Sequence, residues 1–169
     1  MKVLFLDHDG VICLRSQWGK RNSKKSIKRG DIFDPFCPKA IKVLNEIIEK
    51  TDCEIVVSSD WRIYKDLSYM QEMYSNRGII KPPIDYTDIM DLGNIHETQT
   101  HKDCNEMYAR IRENEINHWL DKHVHIELWA AVDDLHMHNL KRFVHTPNDR
   151  EGMKQIGIKA KIINLLTYS

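Results

Sequence analysis

The sequence predicts an α/β fold of three layers, with helices on both faces of a mostly parallel sheet. Short apolar runs alternate along the chain with segments in which apolar residues recur at helical spacing, and this alternation is typical of such three-layer folds. Three of the apolar runs stop abruptly at clusters of polar residues. Because ligands bind outside the carboxyl ends of the strands in open α/β sheets, we expect these clusters to meet at one edge.

Each predicted strand is an apolar run short enough for one buried strand. The strands are predicted at 2–6, 53–57, 84–89 and 128–132, with a last short strand at 143–144. Helices are predicted between them from the spacing of apolar residues, at 38–50, 63–76, 105–123 and 157–166. The polar stretch 91–100, which contains Gly93, is predicted to be a loop.

The composition favours a single domain over residues 1–169. The 25 basic and 25 acidic side chains balance, and the pI is near 7.1, so the chain lacks the overall charge of a strongly basic nucleic-acid-binding domain. No apolar stretch approaches the roughly 18 residues of a membrane span. The four cysteines show no C-x-x-C pairing and are expected to be reduced thiols, which favours a cytoplasmic protein.

The first predicted strand ends in Asp7-His8-Asp9-Gly10, which suggests a reaction at phosphorus. Asp7 and Asp9 lie two residues apart, so their carboxylates would share one face of an extended segment. One carboxylate can attack phosphorus and form an aspartyl-phosphate, while the other protonates the leaving oxygen and later activates water. Neighbouring carboxylates also favour a hard cation such as Mg²⁺. The alternative is an Asp-Gly turn in which both acids are solvated.

Polar residues also follow the second and fourth predicted strands. Ser58, Ser59 and Arg62 come after the second, where a hydroxyl can bind a phosphoryl oxygen and an arginine can clamp a phosphate. Alternatively, Ser59 or Asp60 caps the next helix while Ser58 faces the site. Asp133 and Asp134 come after the fourth strand, and adjacent acids there indicate a metal ion or a strongly cationic partner.

A basic segment leaves the first strand beside this candidate site. Residues 15–29 hold several cations and no acid, within a predicted small insertion or cap at about 14–35. Positive charge there would attract a polyanion such as a nucleic-acid backbone. The alternative is an ordinary solvated loop. The cations are Arg15, Lys20, Arg21, Lys24, Lys25, Lys28 and Arg29.

The order of these motifs resembles that of the haloacid dehalogenase-like (HAD) phosphohydrolase superfamily, which implies a Rossmann-like sheet. Its first motif, DxDx[TV], is matched by residues 7–11. The resemblance implies that Asp7 is the nucleophile and a Mg²⁺ ligand. It implies that Asp9 is the general acid/base and that its backbone carbonyl also meets the metal. Ser58 matches the second motif and would bind the transferring phosphoryl group.

The resemblance also implies roles for the acid pair and for one cation. Asp133 and Asp134 match the fourth motif and would hold Mg²⁺. The third motif requires a lysine or arginine that neutralises the phosphate and the nucleophile. Arg112 is assigned to this role, with Lys102 and Arg110 as the alternatives.

A narrower set of residues is similar to the HAD domains of multi-domain RNA-repair proteins and to polynucleotide 3′-phosphatases. The set comprises VVSSDWR, the pattern R-x-x-E-I-x-x-W-L that begins at Arg112, the VDD sequence, Thr146 and Gly152-Met153. This similarity implies a Mg²⁺-dependent phosphatase of nucleic-acid ends, a 3′-phosphatase that acts alongside other repair proteins. Arg62 would then contact the phosphate.

Other functions share parts of this pattern. Within the same reaction class, the substrate could be a free nucleotide or a small phosphorylated metabolite. In a different class, the chain could be a non-catalytic nucleic-acid-binding module, since a fold alone does not establish activity. A phospho-acceptor domain of the receiver type also uses acids at strand ends with Mg²⁺. Such a domain has no use for a second acid two residues after the first, so Asp9 argues against it.

Overall fold

Five parallel strands form one sheet in the computed structural model, which describes residues 1–90 and 101–168. The spatial order of the strands is β3-β2-β1-β4-β5. The predicted loop at 91–100 lies outside the described residues. The strands are β1 (Lys2–Leu6), β2 (Glu54–Val57), β3 (Asp85–Tyr86), β4 (Leu128–Asp133) and β5 (Phe143–His145).

The central strand, β1, brings the predicted strand ends together. Leu6, its last residue, lies in register with Val57 of β2 on one side and with Val132 of β4 on the other. Because all three strands run in the same direction, the residues that follow them emerge side by side. The α/β fold with a parallel sheet, predicted from the alternation of strands and helices, is confirmed.

The helices cover both faces of the sheet, as the period of two along β1 requires. The α-helices are α1 (Lys24–Arg29), α2 (Pro38–Thr51), α3 (Leu67–Asn76), α4 (His101–Lys122) and α5 (Ile158–Thr167). Leu4 and Leu6 pack into a core with α2, α3 and α5, whereas Val3 and Phe5 pack on the other face against α4. None of the helices combines the length and the apolar character needed to cross a membrane, as far as the described residues extend.

The start of the predicted helix at 63–76 is wrong. A 3₁₀ helix occupies Asp60–Ile63, and α3 begins only at Leu67. The side chain of Asp66 accepts a hydrogen bond from the backbone N–H of Tyr69 at 2.9 Å, which caps a new helix at this point. The apolar periodicity does not reveal such an interruption, because it continues on both sides. The predicted strand at 84–89 is likewise shorter, since only Asp85–Tyr86 pairs with β2.

The basic segment forms short helical turns rather than an extended loop. Two 3₁₀ helices (Arg15–Gln17 and Lys20–Asn22) precede α1. Asp34 ties the segment to the core, since it accepts hydrogen bonds from the backbone N–H groups of Gly19 (2.9 Å) and Arg21 (2.7 Å). Some of the cations pair with nearby acids: Arg15 with Asp149, Arg21 with Asp34, and Arg29 with Asp31.

Candidate active site

A cavity of about 350 Å³ opens at the carboxyl ends of the central strands. All the predicted site residues except Ser58 line it, so one edge of the sheet does gather the three polar clusters. The polar part of the lining comprises Asp7, Asp9, Ser59, Asp60, Arg62, Arg112, Glu115, Asp133 and Asp134.

Three carboxylates converge at the floor of this cavity. Asp7, Asp133 and Asp134 each offer an oxygen atom, and these atoms all lie within 4.8 Å of one another. The sheet itself positions two of them: the N–H of Asp7 donates to the carbonyl of Val132 (3.1 Å), and Asp133 is the last residue of β4. The group can therefore hold a divalent cation with oxygen ligands.

Gly10 allows the third carboxylate to approach. Its φ of 72° lies in the left-handed region, which residues with a side chain rarely adopt. A Cβ atom at this position would also collide with the carboxylate of Asp134. The glycine of the first motif is therefore required both for the turn after β1 and for the space that Asp134 occupies.

The cluster of three carboxylates has more negative charge than its neighbouring cation, Arg112, can neutralise. Burial and repulsion from Asp133 raise the pKa of Asp7 well above 3.8, although Arg112 acts in the opposite direction. Burial raises the pKa of Asp133 to about 7, and burial together with the charges of Asp7 and Asp9 raises the pKa of Asp134 to about 7. Hard oxygen donors with unbalanced negative charge fit a magnesium ion.

Arg112 is the one cation in contact with the nucleophile candidate among the described residues. Its Nη1 lies 3.3 Å from Asp7 Oδ1 and 3.4 Å from Asp133 Oδ2, while its Nη2 lies 2.7 Å from Asp60 Oδ1. Although burial opposes its charge, these acids raise the pKa of the guanidinium, so it stays protonated. Of the alternatives, Arg110 is exposed and does not line the cavity. The side chain of Lys102 lies outside the described residues.

Asp9 faces the same cavity but stands apart from the three clustered carboxylates. Its Oδ2 accepts a hydrogen bond from Trp61 Nε1 at 2.7 Å. Burial raises its pKa above 3.8, and the Trp61 hydrogen bond opposes this rise. The two acids of the first motif therefore differ. Asp7 belongs to the cluster of three carboxylates, whereas Asp9 lies outside this cluster and accepts a hydrogen bond from the neutral indole of Trp61.

Trp61 lies within the VVSSDWR motif but was assigned no role from the sequence, and the structure makes it the hydrogen-bond partner of Asp9. Its ring stacks on Phe33 at a centroid distance of 4.3 Å and on Phe36 at 5.5 Å, and the Arg77 guanidinium lies 4.4 Å from the Phe36 ring. Phe33 and Phe36 come from the end of the basic insertion and the segment after it. The only sequence signal was a tryptophan directly after Ser58-Ser59-Asp60.

His8, between the two acids, is turned into the core. It is fully buried, and its Nε2 shares a hydrogen bond of 2.6 Å with the Tyr74 hydroxyl. Burial lowers its pKa well below the usual value, so the ring is neutral. This follows from the alternation of side chains along an extended segment, because Asp7 and Asp9 occupy the other side.

Of the two adjacent serines, Ser59 lines the cavity and Ser58 does not, although the hydroxyl oxygens of both are buried without a hydrogen-bond partner among the described residues. The backbone N–H of Ser58 donates to the Leu6 carbonyl at 2.9 Å and so continues the ladder between β2 and β1. The Ser59 side chain, which the alternative made a helix cap, makes no capping hydrogen bond to the following 3₁₀ helix.

Arg62, expected to clamp phosphate, lines the cavity and bonds to protein through Nε and Nη2, while its Nη1 has no hydrogen-bond partner among the described residues. Its Nη2 lies 2.5 Å from Glu115 Oε2, and its Nε donates to the Thr87 carbonyl at 2.9 Å. Glu115 also accepts a hydrogen bond from the Met90 backbone N–H at 3.1 Å and lies 3.6 Å from Arg112 Nε. Arg62 therefore braces the cavity wall through Glu115, which holds Arg112 and the segment after β3 together.

The sequence that forms this site matches a known protein family. Residues 3–155 match a family model described as the HAD domain in Swiss Army Knife RNA repair proteins. The match runs from within β1 to just beyond the 3₁₀ helix at Gly152–Lys154 and includes every residue that lines the cavity. Searches of curated proteins and of solved structures gave no match. The resemblance drawn from the motifs is thereby confirmed.

Proposed function

The chain belongs to the family of HAD domains found in Swiss Army Knife RNA repair proteins, and from this premise we propose that it hydrolyses phosphate monoesters at nucleic-acid ends. The observation that carries the proposal is the position of Asp7, which lies among Asp133, Asp134 and Arg112 with the separate carboxyl of Asp9 on the same cavity. This set combines a nucleophile, a cation, a metal-ligand group and an acid/base. We assign the protein to phosphoric monoester hydrolases, with a terminal 3′-phosphate as the substrate.

The reaction has two steps, both centred on Asp7. A carboxylate oxygen of Asp7 attacks phosphorus while the bond from phosphorus to the leaving oxygen breaks, and Asp9 transfers its proton to that oxygen. The Asp9 carboxylate then takes a proton from water, and the water oxygen attacks the phosphorus of the aspartyl-phosphate. Inorganic phosphate leaves and the Asp7 carboxylate is restored.

The surrounding residues stabilise the charge on the phosphoryl group. Arg112 would contact the equatorial oxygens from α4, and the partner-free hydroxyl of Ser59 would donate to another. Asp7, Asp133 and Asp134 would hold Mg²⁺, together with the Asp9 backbone carbonyl. When bound, the ion would supply positive charge that lowers repulsion between the phosphate and the carboxylates.

The basic segment supports a polymer end over a small metabolite. Lys20, Lys24, Lys25 and Lys28 are exposed on the insertion that follows the first motif. Such charges attract phosphates beyond the reacting one. A free nucleotide is the second candidate, because a cavity of about 350 Å³ is within the usual size range for a small-molecule site.

A substrate panel separates these possibilities. Phosphate release with Mg²⁺ is measured from a 3′-phosphorylated oligonucleotide, a 5′-phosphorylated one and a nucleoside monophosphate. We expect the 3′-phosphorylated oligonucleotide to react fastest, with a rate that falls steeply as salt rises. Preference for the monophosphate without salt dependence would instead assign the protein to nucleotide turnover. No release from any substrate would contradict the proposed hydrolysis.

Magnesium is expected to stabilise the fold more at pH 8 than at pH 5.5. The folded-state pKa values of Asp133 and Asp134 are about 7, against 3.8 ordinarily. The folded protein therefore holds more protons than the unfolded chain between these values, and its metal-free stability falls as pH rises through about 7. Bound Mg²⁺ would offset the repulsion between the carboxylates of Asp133 and Asp134 once both are deprotonated. Thermal unfolding with Mg²⁺ or with a chelator at both pH values tests this.

The matched variant in that experiment is Asp133→Asn. It removes one of the repelling charges, so we expect a higher melting temperature than the parent without metal at pH 8 and a smaller response to Mg²⁺. An equal magnesium effect at both pH values, or an undiminished effect in the variant, would show that this carboxylate group does not bind the ion.

Trp61→Phe is expected to lower kcat about 10- to 100-fold with little change in KM. Phenylalanine can keep the stack on Phe33 and Phe36 but cannot donate a hydrogen bond to Asp9, and such a bond to a charged group contributes about 1.5–3 kcal/mol. Steady-state kinetics on the best oligonucleotide substrate measures the effect. Trp18→Phe is the control, because the Trp18 Nε1 donates to the backbone carbonyl of Cys13, whereas the Trp61 Nε1 donates to the Asp9 carboxylate. A loss confined to KM would exclude a role in positioning Asp9.

A further inference from the structure

One face of α4 lines the cavity with four side chains whose solvent exposure increases towards the cavity mouth. Tyr108, Ile111, Arg112 and Glu115 recur at the spacing of one helical stripe, and all of them line the cavity. Glu115 is 2% exposed, Arg112 6% and Tyr108 47%. Since one helical turn rises about 5.4 Å, Tyr108 lies one turn outward from the arginine that contacts Asp7.

Further apolar side chains line the same mouth. Ile63, in the 3₁₀ helix after β2, and Ile89, after β3, are both more than half exposed. Met90 lies beside Ile89, and its backbone N–H bonds to Glu115, so this segment is attached to α4. Single exposed apolar residues are ordinary, but several around a cavity with a polar floor are typical of a ligand site.

We propose that this apolar mouth binds the nucleobase of the terminal nucleotide, with Tyr108 as the stacking surface. The inference rests on the proposed function, which places the phosphate at Asp7 and Arg112. A sugar is all that separates a phosphate from a base, so the base of a nucleotide held there reaches the next turn of the helix. An aromatic face accepts any base, because stacking does not read hydrogen-bonding edges.

The chemistry favours a base over other apolar groups. The cavity floor is suited to a phosphoryl group, and the mouth begins one helical turn away on the same face of α4. Ile63, Ile89 and Met90 offer apolar contact without a charge that would select a particular base. We therefore expect broad acceptance of terminal bases and a requirement that a base be present.

The experiment compares terminal nucleotides with and without a base. One oligonucleotide carries its terminal phosphate on an ordinary nucleotide, and the other on a stable abasic analogue at that position. Glycerol phosphate serves as a small substrate. The variants are Tyr108→Ala and Tyr108→Phe, with Tyr64→Ala as the control, because Tyr64 is 69% exposed and does not line the cavity. Alanine suits the interior of α4, so the fold should survive.

We expect the unaltered protein to prefer the base-bearing end by about tenfold or more in kcat/KM. Tyr108→Ala should remove most of this preference through KM and leave the abasic and glycerol substrates unchanged. Tyr108→Phe should keep it, and Tyr64→Ala should match the parent. Equal rates on both ends in the parent, or an equal loss on all substrates in Tyr108→Ala, would overturn the inference.

Failure of the hydrolysis proposal would be seen separately. If the parent releases phosphate from no substrate, binding of the two oligonucleotides is measured by fluorescence anisotropy instead. Weaker binding of the base-bearing end by Tyr108→Ala, with no change for the abasic end, would still support the apolar mouth as a base site. Identical binding by the parent and Tyr108→Ala would exclude it.

Discussion

Replacing Asp7 with asparagine is expected to abolish phosphate release while the fold survives. The amide has nearly the same shape but is not a nucleophile, so kcat should fall by at least about 10³-fold. The change also removes one of three mutually repelling carboxylates, so the metal-free variant should melt no lower than the parent. Phosphate release and thermal unfolding, measured on the same preparation, test both parts.

Trapping the proposed aspartyl-phosphate is a direct check on the role proposed for Asp7. Acid-quenched parent protein should carry a phosphoryl group on the peptide that contains Asp7, and Asp7→Asn should carry none. Asp121→Asn is the matched control, because Asp121 is exposed on α4 and does not line the cavity. Turnover retained in Asp7→Asn, or a phosphoryl group on another residue, would be incompatible with the mechanism.

Arg112→Met is expected to impair both catalysis and folding. Asp7 and Asp133 are buried beside the guanidinium, and removing one partner of a buried ion pair costs about 3–5 kcal/mol. Loss of the charge that faces the transferring phosphoryl group should lower kcat by about 10²- to 10³-fold. Denaturant unfolding and steady-state kinetics measure the two effects separately.

Two further variants show whether charge or geometry matters at this position. Arg112→Lys keeps the charge, but one ammonium group cannot reproduce the contacts of the guanidinium with Asp7, Asp133 and Asp60, so we expect an intermediate loss. Arg110→Met, two residues earlier on the same helix, should behave like the parent, and Lys102→Met tests the remaining alternative. A larger loss in either of these than in Arg112→Met would reassign the third-motif cation.

The positions of the strands followed from local patterns in the sequence. A buried parallel strand is a short apolar run, and the residue after it lies at the site edge wherever it occurs in the chain. The three polar clusters could therefore be placed together before any contact was known. Arg112, assigned through the resemblance to HAD phosphohydrolases, lies 105 positions from Asp7 in the chain and contacts it in the structure.

Side-chain direction at the ends of strands was less predictable. Ser58 and Ser59 have the same chemistry and adjacent positions, and only the structure shows that Ser59 is the one that lines the cavity. The start of α3 was not predicted either. Apolar residues recur at helical spacing both before and after Asp66, so their periodicity does not reveal that Asp66 caps a new helix.

The sequence by itself determined the α/β class, the family and nearly all of the polar residues around the cavity, because these depend on periodicity and on short motifs. Only the tertiary structure decided what each of them contacts: Arg62 bonds to Glu115, and Asp9 bonds to Trp61. It also revealed the apolar mouth of the cavity, which includes Tyr108 one helical turn from Arg112. The physical reason is that such pairings join residues far apart in the chain, Trp61 and Asp9 by 52 positions, and only the packing of helices on the sheet brings them within hydrogen-bonding distance.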